Sequence, residues 1–456
     1  MTAAARPDVR PGGWWALTLL MLVYIQSFVD RTILSALGEP IRRDLSLGDA
    51  QLGLLGGLAF ALTYSVLGVP AAFLSERVPR KALIGVAVLV WSAMTMACGL
   101  ATGFASLLIL RAGVGIGEAG FTPPAHALVS DFFPPQRRAM ALALFSAAIP
   151  LGVLVAAIGG GWLAHATDWR HAFLVVGAPG LVLAPLLYFT MREPGRGEAE
   201  GGAEDAAREP AARLADVLRR FTGTRSAVPV IVAGALASIP GYALYTFGVS
   251  FFVRVHGLGL LAATTAFGVV VAGGQLVGMI AGGRLTDRLA RDRPAALLLV
   301  PAAALTIAAL CQAAAWWQRD IAACLALLVI GTITGAAYLG PSYAALHALL
   351  SPRTRAGGMS VVLLAHALIG FGLGPPLIGW ISDGVADARF GGGFAAACRG
   401  ALGHVVAPLS PACAPASAAG ITAALIVAAA FGLVAAAGFA FAARYYRRDL
   451  EQAGVA

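Results

Sequence analysis

Four ionisable side chains stand where a protein chain rarely places them: Asp30 and Arg31 in one apolar run, Arg111 and Glu118 in another. A carboxylate inside a membrane-length apolar helix is costly unless it is paired, hydrated or protonated, so such residues are seldom there for packing alone. Asp30 and Arg31 are sequence neighbours; on a helix their side chains diverge by about 100°, and each needs a partner elsewhere. Arg111 and Glu118 are seven residues apart and share one helix face, roughly 10 Å apart along the axis. The chemistry open to this set is proton loading and release. Burial favours a neutral acid and a nearby guanidinium favours a charged one, so a cavity that opens and closes switches between them. Glu118, deeper in its run, is the first choice of proton carrier, with Asp30 tuning or sharing the load. A static network that only fixes helix packing is the competing reading.

Arg31 and Arg111 also suit a carboxylate or phosphate on a ligand. In the second half, Tyr242, Tyr245, Tyr338 and Tyr343 are candidate cavity-lining residues beside His366, which reads equally as a proton relay, a ligand donor or a satisfied core histidine. Two well-separated acids with no Asp-rich motif do not supply a metal site or a nucleophile with its base, so neither a metal, a cofactor nor an enzyme is expected. Gly113, Gly115 and Gly117 thin one part of the same run, for close helix contact or for ligand; with no strand before them they are a poor phosphate loop.

These residues need elements that hold them in lipid. The chain has 456 residues, is 59% hydrophobic and only 12% charged, and its mean hydropathy is +0.81. A water-soluble globule needs roughly twice that charged fraction. The apolar runs are long enough to cross about 30 Å of hydrocarbon as helices and too continuous for barrel strands. They predict spans near 15–38, 50–74, 82–103, 105–130, 139–164 and 171–191, then 226–254, 262–284, 294–316, 320–349, 357–382 and 418–443. Between the two sets, residues 192–225 read as a solvated linker with one short helix near 211–221. The expected domains are therefore 1–191, a linker at 192–225, and 226–456.

The charged loop from Ala72 to Lys81, carrying Glu76, Arg77, Arg80 and Lys81, returns in the stretch with Arg284, Asp287 and Arg288. His126 and His347, and Gly161-Trp162 and Gly379-Trp380, repeat in the same order, which makes two copies of one half the natural reading. Of the 32 lysines and arginines, 23 fall on the side of the termini and linker and 7 on the other. This puts both termini in the cytoplasm, whereas the net charge of +9 alone would have suggested an acidic partner such as nucleic acid. Cys398 and Cys413 then lie in an outer loop facing an oxidising compartment, where a disulfide and two free thiols are both open.

Twelve helices in two halves, a cytoplasmic linker and the acid-Arg-x-x-Arg-Lys loop after helix 2 resemble the major facilitator superfamily. Tyr24 to Asp30-Arg31, Arg111-Ala-Gly-Val-Gly-Ile-Gly-Glu118-Ala, and His366 followed by Pro376-Leu-Ile-Gly-Trp-Ile-Ser-Asp383 resemble its spinster-like branch. The resemblance implies an all-α fold of two pseudo-symmetric six-helix bundles that rock about a midplane site. It further implies a plasma-membrane, monomeric, proton-coupled secondary transporter of an amphiphilic, anionic, lipid-like substrate, with membrane lipids around it. Small organic anions, sugar acids or drugs are the alternative cargo. Glu76, Arg77, Arg80 and Lys81 with Asp131, and Arg284, Asp287 and Arg288, are then gate latches. Three positions depart from the family pattern: Ala72 for Gly, Glu76 for Asp, and Phe371 where an acid is expected shortly after His366.

Overall fold

A chain this apolar satisfies its backbone only by closing hydrogen bonds within each crossing segment, which in a continuous apolar run means a helix. The computed structural model describes residues 9–75, 77–195, 214–350, 352–398 and 411–452. Among them are twelve helices long and apolar enough to cross a membrane. In order, spans 1 to 6 are Gly13–Asp44, Asp49–Gly68, Arg80–Cys98, Phe104–Phe132, Gln136–Ala166 and Trp169–Thr190. Spans 7 to 12 are Ala227–His256, Leu260–Ala290, Ala296–Trp317, Ile321–Leu349, Gly357–Phe390 and Ala414–Gln452. A separate linker helix covers Leu214–Gly223.

The spans are not smooth cylinders. Span 4 breaks after Ala119 and restarts at Thr122, where Pro123 and Pro124 occupy the first turn and have no N–H to continue the ladder. Spans 2, 5, 8 and 11 each contain a wide π turn, at Leu54–Leu58, Ala156–Gly160, Val269–Gly273 and His366–Leu373. The first and third of these, and the second and fourth, are separated by about 210 residues, the spacing of the repeated charged loops. The duplication thus reaches the backbone as well as the motifs. Asp168 caps span 6, its carboxylate accepting from the His171 N–H at 2.8 Å, and Asp320 caps span 10 through Ala323 at the same distance.

Contacts divide the chain into two compact units: Met1–Ile33 with Leu62–Arg208, and Leu34–Ala61 with Glu209–Ala456. The last part of span 1 and the first part of span 2 therefore belong to the second unit. In the first unit, spans 3 and 4 meet where Gly117 lies against Trp91; a Cβ there would sit 2.6 Å from the Trp91 nitrogen, so only glycine permits the approach. In the second unit, spans 7, 9 and 12 enclose an apolar core that includes Ala233, Leu298, Leu305, Ala435 and Phe439. The linker helix joins that core through Val217 and Phe221. Cys398 and Cys413 are bonded to each other, with a Cα separation of 5.8 Å, and pack with Phe390, Phe394 and Ala416.

Candidate functional site

Span 1 presents two ridges of polar side chains one turn apart, Gln26 with Asp30 and Ser27 with Arg31, because i and i+4 share a helix face. In the first unit these ridges meet span 4. Arg31 Nε donates to Glu118 Oε2 at 2.5 Å, and Ser27 Oγ donates to the same oxygen at 2.8 Å. Arg111 Nη1 donates to the backbone carbonyl of Asp30 at 2.9 Å. Gln26 Nε2 lies 3.2 Å from both Asp30 carboxylate oxygens and 2.6 Å from the Val176 carbonyl, tying the acid to span 6. The four charges found in the sequence thus form one assembly, with Asp30, Arg111 and Glu118 wholly buried.

Arg31 is the exception in exposure. Its side chain is 17% exposed while that of its partner Glu118 is 0%, so the guanidinium side of the pair has accessible surface and the acid has none. The guanidinium carbon lies 4.6 Å from the Tyr64 ring centre and 5.1 Å from that of Phe28. The Tyr64 hydroxyl is 3.2 Å from Thr122 Oγ1. Tyr24 stacks on Phe145 at 4.6 Å and meets Phe121 at 5.6 Å, extending an aromatic wall from the charges. Gln26, Ser27, Tyr64 and Thr122 were not singled out from sequence; the i, i+4 spacing to Asp30 and Arg31 is the signal that finds the first two.

The second unit brings together the other candidates without charge. Tyr343 Oη lies 3.3 Å from His366 Nδ1, and the Tyr338 hydroxyl is 3.0 Å from Ser238 Oγ. Tyr245 Oη donates to Gln275 Oε1 at 2.9 Å. Tyr242 stacks on Phe371 at 4.7 Å. Phe371, the residue found where an acid was expected, thus extends the aromatic surface.

At the loop after span 2, Arg80 pairs with Asp131 at the end of span 4, and its backbone N–H donates to Glu193 at 2.5 Å. Lys81 reaches the Met191 carbonyl at 3.5 Å and lies 5.3 Å from the centre of the Tyr188 ring. The Arg77 side chain is exposed, and Glu76 lies outside the described residues. Arg284, Asp287 and Arg288 are exposed on span 8. Arg77 and its counterpart Arg288 are thus alike in exposure, and Arg80 is the arginine of the first loop that pairs with a neighbouring span.

One cluster was missed. Sequence placed Glu39 beyond the end of span 1 and counted Arg42, Arg43 and Arg254 as loop charges, but span 1 continues to Asp44 and span 7 to His256. Asp30 and Glu118 remain the acids deep within spans, and Glu39, 2% exposed, is a further buried acid near the end of span 1. In the second unit Arg254 Nε donates to Glu39 at 2.9 Å, and its two terminal nitrogens clasp Asp49 at 2.8 Å each. Arg42 and Arg43 also bond Glu39. Ser382 Oγ donates to Asp49 at 2.7 Å, and Asp383 of span 11 accepts the N–H groups of Asp49 and Ala50, capping span 2 from another helix. Gly53, Gly57 and Gly379 leave no room for a Cβ against the facing backbone, so spans 2 and 11 touch main chain to main chain here. The signal in the sequence was an acid on either side of the turn between spans 1 and 2.

No group of three or more metal-ligating side chains forms a candidate metal site among the described residues. The family model described as Major Facilitator Superfamily matches residues 20–375. An MFS-type efflux pump of Mycolicibacterium smegmatis is 34% identical over 375 residues, 82% of this chain and 85% of that protein. A hexuronate transporter of Bacillus subtilis is 32% identical over 38% of this chain and 41% of its own. Among solved structures, a bacterial homolog to the human lysosomal transporter Spinster, in an inward-facing and unoccupied conformation, aligns with a TM-score of 0.85 at 32% identity. That alignment covers 97% of this chain and 99% of the other.

Proposed function

The chain belongs to the Major Facilitator Superfamily as a multi-pass, spinster-like transporter, and on that premise we propose that it is a proton-coupled secondary carrier of an amphiphilic anion, working by alternating access. The observation that carries the reading is the Arg31–Glu118 pair, whose guanidinium is reachable and whose acid is not. An anionic headgroup arriving at Arg31 competes with Glu118 for the same Nε–H. A buried carboxylate that loses its guanidinium partner must find another or neutralise, so Glu118 takes up a proton as the anion binds. Asp30, held by Gln26 and beside Arg111, sets how readily that happens. Anion and proton are thereby linked through one arginine, and a ligand shifts the equilibrium only through such differential binding.

The aromatic hydroxyls of Tyr242, Tyr245, Tyr338 and Tyr343 with His366 suit an apolar or mildly polar portion of the substrate, since they bring hydrogen bonds without net charge. In this reading residues 1–191 and 226–456 are the two transport bundles. The linker and both termini face the cytoplasm, and the protein acts as a monomer in the plasma membrane. Arg80 with Asp131 is a latch within the first bundle.

The test uses purified protein in weakly buffered detergent solution, titrated with a single-chain lysophosphatidic acid and separately with glucuronate. Proton uptake on binding of the lipid, absent in Glu118→Gln, is the expected result. Binding without proton uptake would sink the coupling. The kinship with a hexuronate transporter favours a second reading, a carrier of small sugar acids; glucuronate competing as well as the lipid makes that reading the better one.

A further inference from the structure

The linker helix Leu214–Gly223 is amphipathic and is built into the second unit at one end. Val217 and Phe221 enter the apolar core beside Leu349, Leu350, Tyr446 and Leu450. Gly357 and Gly358 have no Cβ where Val217 and Phe221 press against them, and Arg220 Nε donates to the Leu349 carbonyl at 3.1 Å. Span 12 ends at the same place. Asp449 there is turned inward, its carboxylate accepting the backbone N–H of Ser226 at 2.8 Å and its hydroxyl at 2.6 Å. Tyr446 donates to the Ala345 carbonyl at 3.1 Å.

This packing sorts the charges. Arg219, Arg225, Arg444, Arg447 and Arg448 remain exposed, against the exposed acids Asp216 and Glu451. Glu451 pairs with Arg447 at 3.3 Å with both side chains more than half exposed, a contact too solvated to hold either strongly. Arg225 lies 5.9 Å from the Tyr445 ring centre, joining the linker to the last helix. Leu218 of the linker helix is 45% exposed, and Phe441 of span 12, 48% exposed, meets the Tyr445 ring at 5.3 Å. Basic side chains around an aromatic and aliphatic rim, at the end of a membrane span, match a surface that holds lipid phosphates while its apolar residues enter the acyl boundary.

We propose that the linker helix and the last turns of span 12 form a docking platform for anionic phospholipid headgroups, which bind the second unit and fasten the linker to it. The charge complementarity selects the occupant: each arginine near an anionic leaflet is attracted by its surface charge, and a zwitterionic lipid offers no comparable gain. The platform is independent of the Arg31–Glu118 reading, because it lies at the end of the spans and uses none of those residues.

The test compares the full chain in nanodiscs of phosphatidylcholine alone and with added phosphatidylglycerol. The wild type should melt several degrees higher with the anionic lipid. The triple variant Arg444→Gln, Arg447→Gln, Arg448→Gln should lose most of that increment while melting normally in phosphatidylcholine. A matched variant on span 8 and its loop, Arg284→Gln, Arg288→Gln, Arg291→Gln, should keep it. The proposal is overturned if the wild type shows no increment, if the first variant keeps it, or if the second loses as much. Should the first variant prove unstable in both lipids, retention of phosphatidylglycerol by the wild type through delipidation decides: loss of bound lipid at high salt supports the platform, and no retained lipid refutes it. Soluble glycerol phosphate giving the same increment also overturns it, in favour of a site for free phosphate.

Discussion

The two units handle polar groups in an apolar medium differently. The first buries ionisable residues in the middle of its spans, Asp30, Arg111 and Glu118, and ties them together through Ser27, Gln26 and Arg31. The second keeps its buried charge at helix ends, around Arg254, and lines its mid-span region with hydroxyls and rings. A charge-bearing region can change protonation when a partner leaves; a region of neutral hydroxyls can exchange hydrogen bonds with little change in net charge. In the function proposed above, proton handling therefore falls to the first unit and accommodation of an uncharged substrate portion to the second.

The sharpest way to break this comparison is Glu118→Gln, which mimics the protonated acid permanently. Proton-driven accumulation in liposomes should vanish while equilibrium binding persists; continued uphill transport with a normal pH response would move the carrier to Asp30 or His366. Next in size is Arg254→Ala, which strands Glu39 and Asp49 as buried carboxylates and should cost about 3–5 kcal/mol. Its melting temperature should recover largely in the triple variant that adds Glu39→Gln and Asp49→Asn, as expected for a structural pair and not for a proton carrier. A smaller contrast separates the repeated loops: Arg80→Ala should cost about 2 kcal/mol by breaking a charged hydrogen bond, whereas Arg288→Ala should stay within about 0.5 kcal/mol. Equal effects in thermal unfolding would mean that the loops are equivalent after all. Smallest is Tyr343→Phe, about 1 kcal/mol for one hydrogen bond to His366, with proton stoichiometry unchanged. A changed stoichiometry would place coupling in the second unit too.

The twelve spans were legible because apolar length is a one-dimensional signal, and the resemblance to the spinster-like branch was legible in residues such as Arg111 and Glu118. What composition could not show was where helices end. Span 1 runs six residues past the expected boundary, and that extension puts Glu39 inside a helix facing Arg254. The π turns were equally hidden, since no residue type marks them uniquely, and the pairing of Asp49 with Ser382 joins positions 333 residues apart. Repetition carries the two loops only so far: Arg77 and Arg288 are both exposed, but among the described residues Arg80 pairs with Asp131 at the end of a neighbouring span while Arg291 is exposed.

The bond between Cys398 and Cys413 has a consequence for how the protein is made. It closes late in the chain, just before span 12, so its oxidation records on which side of the membrane the preceding spans delivered that loop. With both termini in the cytoplasm, as proposed above, a chain inserted upside down would leave both thiols in a reducing compartment and open to alkylation. Each molecule then carries a chemical record of its own insertion, readable as a mobility shift after alkylation under denaturing conditions, without any substrate in hand.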